Sequence, residues 1–299
     1  MTQVEVAVSS RWQRRALSVP PHAYFVVSAI FHYLGPAFAV LLFARVDVLG
    51  VAWLRIVSAG LVFALWRRPW VAWRGLSSDL RRTVFWWGVV LAVMNSSFYI
   101  AIDRLPLSTV AAIEFIGPIL LAAFGVKSRR NALALLLAGT GVYVLTGIRL
   151  EGEPLGLAFA FVNAGLFTLY IVLGHRVAQT GPSRSIDLLG ASMVIAAVAA
   201  APVGIWDAGG ALLDPIALLA GAGVGISSSV IPYVSDQLAL GRLARSTYAL
   251  FVSLLPATAT VVGVLVLTQI PTAAEIAGVA LVIAGVAAHQ GRQEPAGPS

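Results

Sequence analysis

Ten apolar stretches, separated by short connections rich in Pro, Gly and charged residues, constrain the fold of this chain more than any other feature of its sequence. Most of them approach the ~20 residues with which an α-helix crosses ~30 Å of hydrocarbon. Charged residues occupy only 11% of the 299 positions, against about 25% in an average soluble domain. The sequence predicts an all-α integral membrane protein with ten transmembrane helices, at residues 21–43, 48–66, 84–102, 106–126, 131–148, 154–175, 186–206, 216–239, 246–267 and 273–290.

The first stretch predicts a membrane span and not a cleaved secretory signal. Its apolar part is longer than the roughly 7–15 apolar residues of a signal peptide, and nine further spans follow it. Residues 1–20, which precede it, are basic and are expected to form a disordered cytoplasmic arm.

An internal repeat relates the two halves of the chain. Residues 104–125 recur 138 positions later, at residues 242–263. The identical pairs are Arg104 and Arg242, Leu105 and Leu243, Ser108 and Ser246, Thr109 and Thr247, Ala111 and Ala249, Pro118 and Pro256, and Gly125 and Gly263. Internal repeats are typical of secondary transporters, in which the substrate site lies near the membrane midplane where the halves meet. We therefore predict a first five-helix repeat at residues 21–148, a second at 149–290, and a short cytoplasmic tail at 291–299.

The basic residues predict the orientation of the chain, because cytoplasmic loops of membrane proteins accumulate Lys and Arg. With both termini in the cytoplasm, sixteen of the twenty Lys and Arg residues fall on the inner side. Of the rest, Arg45, Arg104 and Arg149 fall outside and Arg55 falls within a span. The loop at Arg104 is then external and the loop at Arg242 is cytoplasmic, which predicts that the two five-helix repeats are inverted relative to each other.

Composition narrows the partners and the chemistry. The net charge of +7 follows the membrane orientation and gives no reason to expect nucleic acid, whereas five tryptophans near the basic loop between spans two and three predict contact with membrane lipid. The chain has no cysteine, its four histidines lack metal-ligand spacing, and no phosphate-binding loop, dinucleotide motif or nucleophile elbow occurs. These observations predict a protein without metal, cofactor or enzymatic activity, and they argue against an ATP-driven pump. The tryptophans are Trp66, Trp70, Trp73, Trp86 and Trp87.

The segment from Met94 to Pro118 carries a family resemblance. It reads MNSSFY at residues 94–99 and RLPLSTVAAIEFIGP at residues 104–118, and it resembles the signature that joins spans three and four in the drug/metabolite transporter superfamily. More narrowly, it is similar to the EamA-type family in its threonine/homoserine exporter branch. Further matches are Leu54-Arg55, Tyr170 with Gly174-His175-Arg176, and Ile231-Pro232-Tyr233. The resemblance covers roughly residues 20–290 and implies a ten-helix inner-membrane exporter of amino acids that is driven by the proton gradient.

Two positions differ from the family pattern. The family often has Ser-Leu-Glu-Pro in span nine, where this chain has Ser253-Leu254-Leu255-Pro256. It usually has Gly-Glu after that span, where this chain has Thr268-Gln269. Both differences remove an acidic residue from the second half.

Polar side chains within the spans predict the substrate site. Counting residues at ~1.5 Å of helical rise places four of them about 10–14 Å below the outer surface. His32 lies about halfway along span one, and Tyr99 shares a helix face with the residue four positions before it. Phe167 and Tyr170 add an aromatic wall in span six. The predicted substrate contacts are Glu114, Asn95, Tyr99, Asn163, Arg55, His32 and Tyr170.

Each of these residues also has a structural interpretation. A buried charge is costly in a membrane, so Glu114 and Arg55 must face protein or water. Glu114 is predicted either to bind the substrate ammonium and carry the coupled proton, or to form a structural ion pair with Arg55. The amides and Tyr99 either contact substrate or hydrogen-bond across helices. His32 either titrates or only packs.

Prolines and small residues predict hinges and close packing. Pro36, Pro118, Pro232 and Pro256 interrupt spans one, four, eight and nine, and the last three are candidate hinges. Asp236, close before Arg242 and Arg245, predicts either a cytoplasmic gate of ion pairs or a solvated cluster. Pairs of small residues predict either helix packing or a homodimer contact. These pairs are Gly221 with Gly225, Ala134 with Ala138, and Ala280 with Ala284.

These observations predict a secondary transporter in the inner (plasma) membrane. Its substrate is a small amino acid or related zwitterion, exported by proton antiport. The alternatives are export of hydrophobic cations or drugs, import by the same architecture, and a membrane scaffold that transports nothing.

Overall fold

The computed structural model describes residues 19–117, 129–149, 153–180, 182–240 and 255–288. All the regular secondary structure in these residues is helical. A 3₁₀ turn at Gly209–Leu213 and a π-helical segment at Ile226–Val230 connect three of the α-helices. The helices are α1 Pro21–Leu42, α2 Val48–Arg67, α3 Pro69–Arg74, α4 Ser78–Arg104, α5 Leu107–Glu114, α6 Arg129–Arg149, α7 Pro154–Ala178, α8 Pro182–Ala208, α9 Pro215–Gly225, α10 Ile231–Leu240, α11 Leu255–Leu267 and α12 Ala273–Ala288.

Six stretches of these helices are long and apolar enough to cross a membrane, among the residues that the structure describes. The all-helical, membrane-spanning character of the chain is thereby confirmed. Helices α5, α6, α11 and α12 lie at the positions of the other four predicted spans. The count of ten and the inversion of the repeat stay predictions, because most of the second copy of the repeat lies outside the described residues, as does Pro118. The six are Ala23–Leu42, Val48–Arg67, Ser78–Arg104, Pro154–Val177, Arg184–Leu213 and Pro215–Ser235.

The helix ends follow from local sequence. Proline opens α1, α7 and α9, where its missing N–H costs no hydrogen bond because the first helical N–H groups have no partner within the helix. Asp214 caps α9 by accepting a hydrogen bond from the Ile216 N–H at 2.9 Å. At α12, the Thr272 N–H donates to the Glu275 carboxylate at 2.8 Å and the Glu275 N–H donates to the Thr272 hydroxyl oxygen at 3.2 Å. This reciprocal pair is a capping box.

Small residues let three helix pairs pack closely: α2 with α8, α4 with α7, and α6 with α12. Gly221 and Gly225 of α9 face Leu54 and Ser58 of α2, so this predicted small-residue face is used inside the bundle. Ala134 and Ala138 are buried against α12, so this second small-residue face is also used inside the bundle. Ala280 and Ala284, by contrast, are exposed on the outer side of α12. Of the three faces, only theirs stays open for the predicted homodimer contact.

Two apolar clusters divide the core. One joins Tyr33, Leu54 and Phe98 with residues of α5, α6, α11 and α12. The other joins Ile56 and Leu91 with residues of α8. Neighbouring residues of α2 and α4 thus belong to different clusters, and the polar side chains predicted for the site lie at the level where the clusters meet.

Gln269 connects the segment before α12 to the start of α5, 162 positions earlier in the chain. Its side-chain oxygen accepts a hydrogen bond from the Leu107 N–H at 3.1 Å. That N–H belongs to the first turn of α5 and has no acceptor within the helix. We expect Gln269→Ala to lower the free energy of unfolding by about 1 kcal/mol, because a poorly hydrated donor loses its partner.

Thermal unfolding in detergent would measure this effect. Gln269→Glu is the matched variant, because its carboxylate is also an acceptor and a negative charge is favourable near a helix N-terminus. Equal destabilisation by both variants would contradict the capping role.

Candidate functional site

A cavity that is partly open to the protein surface lies between the helices at the level where the two apolar clusters meet. Six of the seven residues predicted to bind substrate line it: His32, Arg55, Asn95, Glu114, Asn163 and Tyr170. The other lining residues are Pro36, Met94, Phe98, Phe167 and Tyr233. The structure therefore brings the predicted polar residues together on one surface.

Helical periodicity explains how α7 contributes to this surface. Asn163, Phe167 and Tyr170 are spaced four and three residues apart, so they lie on one face of the helix. His32 and Pro36 are also four residues apart and therefore lie on one face of α1. Glu114 is the last residue of α5. The lining residues belong to six helices, which are α1, α2, α4, α5, α7 and α10.

Glu114 and Asn163 form the best-defined polar pair of the cavity. The Asn163 side-chain N–H donates to the Glu114 carboxylate at 3.1 Å, and both residues are buried. Gly117 allows this approach, because a Cβ there would lie only 2.6 Å from the carbonyl oxygen of Ala164 on α7. The Asn163 amide oxygen has no hydrogen-bond partner among the described residues. A carboxylate beside an unused amide acceptor is suited to a ligand with several N–H donors, such as an ammonium group.

Arg55 is held by the π-helical segment. Its Nε–H donates to the Ser229 hydroxyl at 3.0 Å, and an N–H of its guanidinium Nη2 donates to the Ser228 carbonyl at 3.1 Å. Pro232 has no N–H with which to bond the Ser228 carbonyl four residues before it, and that carbonyl accepts from Arg55 instead. Pro232, which the sequence predicted only as a candidate hinge, thus has a local role in placing Arg55. π-Helical segments of this kind occur frequently at functional sites.

Close packing fixes this segment against α1 and α2. A Cβ at Gly35 would overlap the Ser228 side chain, and a Cβ at Gly225 would lie 2.7 Å from the carbonyl oxygen of Arg55. Glycine is therefore required at both contacts. The Ser228 hydroxyl is buried at this contact, close to Tyr99.

Arg55 and Glu114 do not form a direct ion pair, although both face the cavity. The ion pair found in the described part of the chain joins Arg67 Nε to Asp187 Oδ1 at 2.7 Å, at the cytoplasmic ends of α2 and α8 under the predicted orientation. The direct ion pair that the sequence left open as an alternative is therefore not formed in this structure. Each charged group is instead bonded to neutral partners, which leaves both charges available to a ligand.

Tyr99 lies behind Arg55 and does not line the cavity. The Arg55 guanidinium carbon is 5.5 Å from the centre of the Tyr99 ring, and the Phe43 ring meets Tyr99 edge-on at 5.9 Å. The Tyr99 hydroxyl is buried close to Arg55 and Ser228. Tyr99 therefore positions Arg55 in this structure and has no contact with the cavity itself.

Aromatic rings form the opposite side of the cavity. Tyr170 stacks with Phe167 at 6.4 Å, with Tyr233 at 6.5 Å and with Trp87 at 5.4 Å between ring centres. Phe167 belongs to the aromatic wall that the sequence predicts. Tyr233 was noted only as a match to the family, although it follows the helix-breaking Pro232.

Ser228 and Ser229 are not among the residues predicted for the site. The available signal was the run of three serines at residues 227–229 within an apolar span, since hydroxyls in such spans usually bond to a neighbouring helix.

The other candidate residues lie away from the cavity or cannot be placed. Pro256 is buried in the first turn of α11 as described. Pro118 lies outside the described residues, and so does the side chain of Asp236. In the described parts of the chain, no group of three or more His, Cys, Asp or Glu residues is arranged to hold a metal ion.

Comparison with known proteins supports the family resemblance. Residues 154–288 match the EamA-like transporter family. The threonine/homoserine exporter RhtA of Escherichia coli (strain K12) and that of Salmonella typhimurium (strain LT2) are each 29% identical to this chain over 254 residues, which is 84% of both chains. A solved structure titled "Crystal structure of protein" aligns with a TM-score of 0.59 at 20% identity, over 92% of this chain and 100% of that chain. It shows a shared fold.

Proposed function

We propose that this chain, which carries an EamA-like transporter domain over residues 154–288, is a secondary transporter that exports amino acids across the inner membrane in exchange for protons. The observation that carries the proposal is one cavity faced by an acid and a base that do not pair with each other, Glu114 and Arg55. Relatives that are named threonine/homoserine exporters support transport of amino acids.

The cavity suits a zwitterion. The substrate ammonium would donate to the Glu114 carboxylate and to the free amide oxygen of Asn163. The substrate carboxylate would accept from the remaining N–H donors of Arg55. Hydrogen bonds to charged groups are among the strongest in proteins. Because isolated charges are costly in a membrane, a zwitterion would satisfy both protein charges at once.

Export of hydrophobic cations is the second candidate. A carboxylate beside the rings of Phe167, Tyr170 and Tyr233 would attract such a molecule. Arg55 weighs against it, because the guanidinium faces the same cavity and repels a cation.

Counterflow in proteoliposomes separates these candidates. Vesicles loaded with an unlabelled amino acid should take up the labelled one transiently, and those loaded with a cationic dye should show no dye exchange. Dye exchange without amino-acid exchange would favour the second candidate. Exchange of neither the amino acid nor the dye would contradict transport and favour a scaffold.

We further propose that the chain crosses the membrane ten times as two inverted five-helix repeats, with both termini in the cytoplasm, and works by alternating access. Gly75 and Gly210 provide a matched pair of reporters, because both are open enough to accept a side chain. We expect Gly210→Cys in intact cells to react with a membrane-impermeant thiol reagent, and Gly75→Cys to react only after the membrane is opened. Labelling of Gly75→Cys in intact cells would contradict the topology.

A further inference from the structure

The aromatic side of the cavity is a second recognition surface, separate from the charged groups. Phe167, Tyr170 and Tyr233 line it, and their stacked rings form a continuous apolar face. Met94 and Phe98 of α4 add to the lining and are almost fully buried. The charged groups would recognise what all amino acids share, so this surface is the part that can distinguish their side chains.

Contacts behind the surface hold the rings in place. Trp87 stacks on Tyr170 from the side of α4, and its indole N–H donates to the Tyr170 carbonyl at 3.1 Å. Gly174 makes room for Trp87, because a Cβ there would lie 3.1 Å from the indole ring. Phe115 packs edge-on against Phe167 at 6.5 Å. A preorganised apolar surface binds without the entropic cost of ordering its side chains.

The aromatic surface runs along α7 away from the proposed position of the substrate ammonium. Asn163 marks the proposed position of the substrate ammonium. Phe167 lies four residues and Tyr170 seven residues further along α7, which is about 6 Å and about 10 Å at the helical rise. An aliphatic or aromatic side chain that extends towards these rings would bury apolar surface against them, whereas a hydroxyl group would lose its hydration there.

We infer that this site selects amino acids with large apolar side chains over threonine and homoserine. The inference rests on the proposed function, because it assumes that the charged groups bind the amino-acid backbone. Burying a larger apolar side chain against the rings favours binding, with a single methylene group in a pocket changing selectivity by about 10-fold or more.

Competition on the wild-type protein tests this inference. Proteoliposomes that exchange labelled leucine would be challenged with unlabelled leucine, phenylalanine, threonine or homoserine. We expect leucine and phenylalanine to inhibit exchange at concentrations at least about 10-fold lower than threonine and homoserine. Equal or better inhibition by threonine or homoserine would overturn the inference and leave the proposed function standing. Exchange of no amino acid would overturn both.

Variants of the surface provide a second measurement. Tyr170→Ser and Phe167→Ser should reduce the preference for leucine over threonine about 10-fold. Tyr143→Ser is the matched control, because Tyr143 is 78% exposed on α6, and it should leave the preference unchanged. If a variant fails to exchange, stabilisation of the purified protein against heat by leucine or threonine reports binding directly. An unchanged preference in folded Tyr170→Ser and Phe167→Ser would contradict the role of the rings.

Discussion

Replacing Glu114 by glutamine is expected to lower amino-acid exchange about 10- to 100-fold, as removal of a charged hydrogen-bond partner costs about 1.5–3 kcal/mol. The change keeps the shape of the side chain and its contact with Asn163, so folding should be preserved. It removes the negative charge that would bind the substrate ammonium and the group that would carry the proton. Exchange and its dependence on an imposed pH gradient would both be measured in proteoliposomes.

Glu275→Gln is the matched control for this substitution. Glu275 is also buried, but it caps α12 through Thr272 and does not line the cavity. Glutamine can take the same capping role, so exchange should be unchanged. Wild-type exchange and proton coupling in a folded Glu114→Gln protein would show that the assignment is wrong.

A misfolded Glu114→Gln protein would need a different interpretation. If the double substitution Arg55→Met with Glu114→Gln then restored folding, the two charges would be needed chiefly to balance each other, since a lone buried charge is costlier than the absent pair. The neutral partners of both groups, Ser229 for Arg55 and Asn163 for Glu114, lead us to expect normal folding of Glu114→Gln instead.

Arg55→Met is expected to raise the substrate concentration needed for half-maximal exchange at least about 10-fold, because the substrate carboxylate loses a charged donor pair. A sharper readout compares an amino acid with the primary amine that lacks its carboxylate. The wild-type protein should prefer the amino acid, and Arg55→Met should lose most of that preference.

Arg55→Lys and Arg67→Met complete this test. Lysine keeps the charge but cannot reproduce the two directed bonds to Ser229 and Ser228, so we expect an intermediate effect. Arg67 pairs with Asp187 away from the cavity and is only partly buried, and its loss should change exchange little. A full amino-acid preference in Arg55→Met would contradict carboxylate binding by Arg55.

The depth of the polar residues could be predicted from the sequence because helical rise is nearly constant. Residue counts alone placed Arg55, Asn95, Glu114 and Asn163 at one level, and the structure places all four around one cavity. Side-chain direction could not be predicted in the same way. The orientation of Tyr99 behind Arg55 depends on how α2 and α4 are rotated against each other, which a residue count does not contain.

The partners of Arg55 depend on a local departure from α-helical geometry. Pro232 indicates that the Ser228 carbonyl lacks its usual donor, but only the packed position of α2 shows which group takes that carbonyl. Whether Arg55 and Glu114 pair directly could not be predicted for the same reason, since two charges at one depth need not face each other. The repeat could be found in the sequence, and its structural counterpart lies largely outside the described residues.

Amino-acid movement driven by an imposed pH gradient tests the central claim most directly. Proteoliposomes carrying the wild-type protein would be given a pH gradient, with and without a protonophore, and the accumulation of a labelled amino acid against its own gradient would be followed. If export is coupled to protons, we expect accumulation that collapses when the protonophore removes the pH gradient and that does not depend on sodium. Accumulation that continues at full rate after the gradient is collapsed, or that follows a sodium gradient instead, would contradict proton coupling.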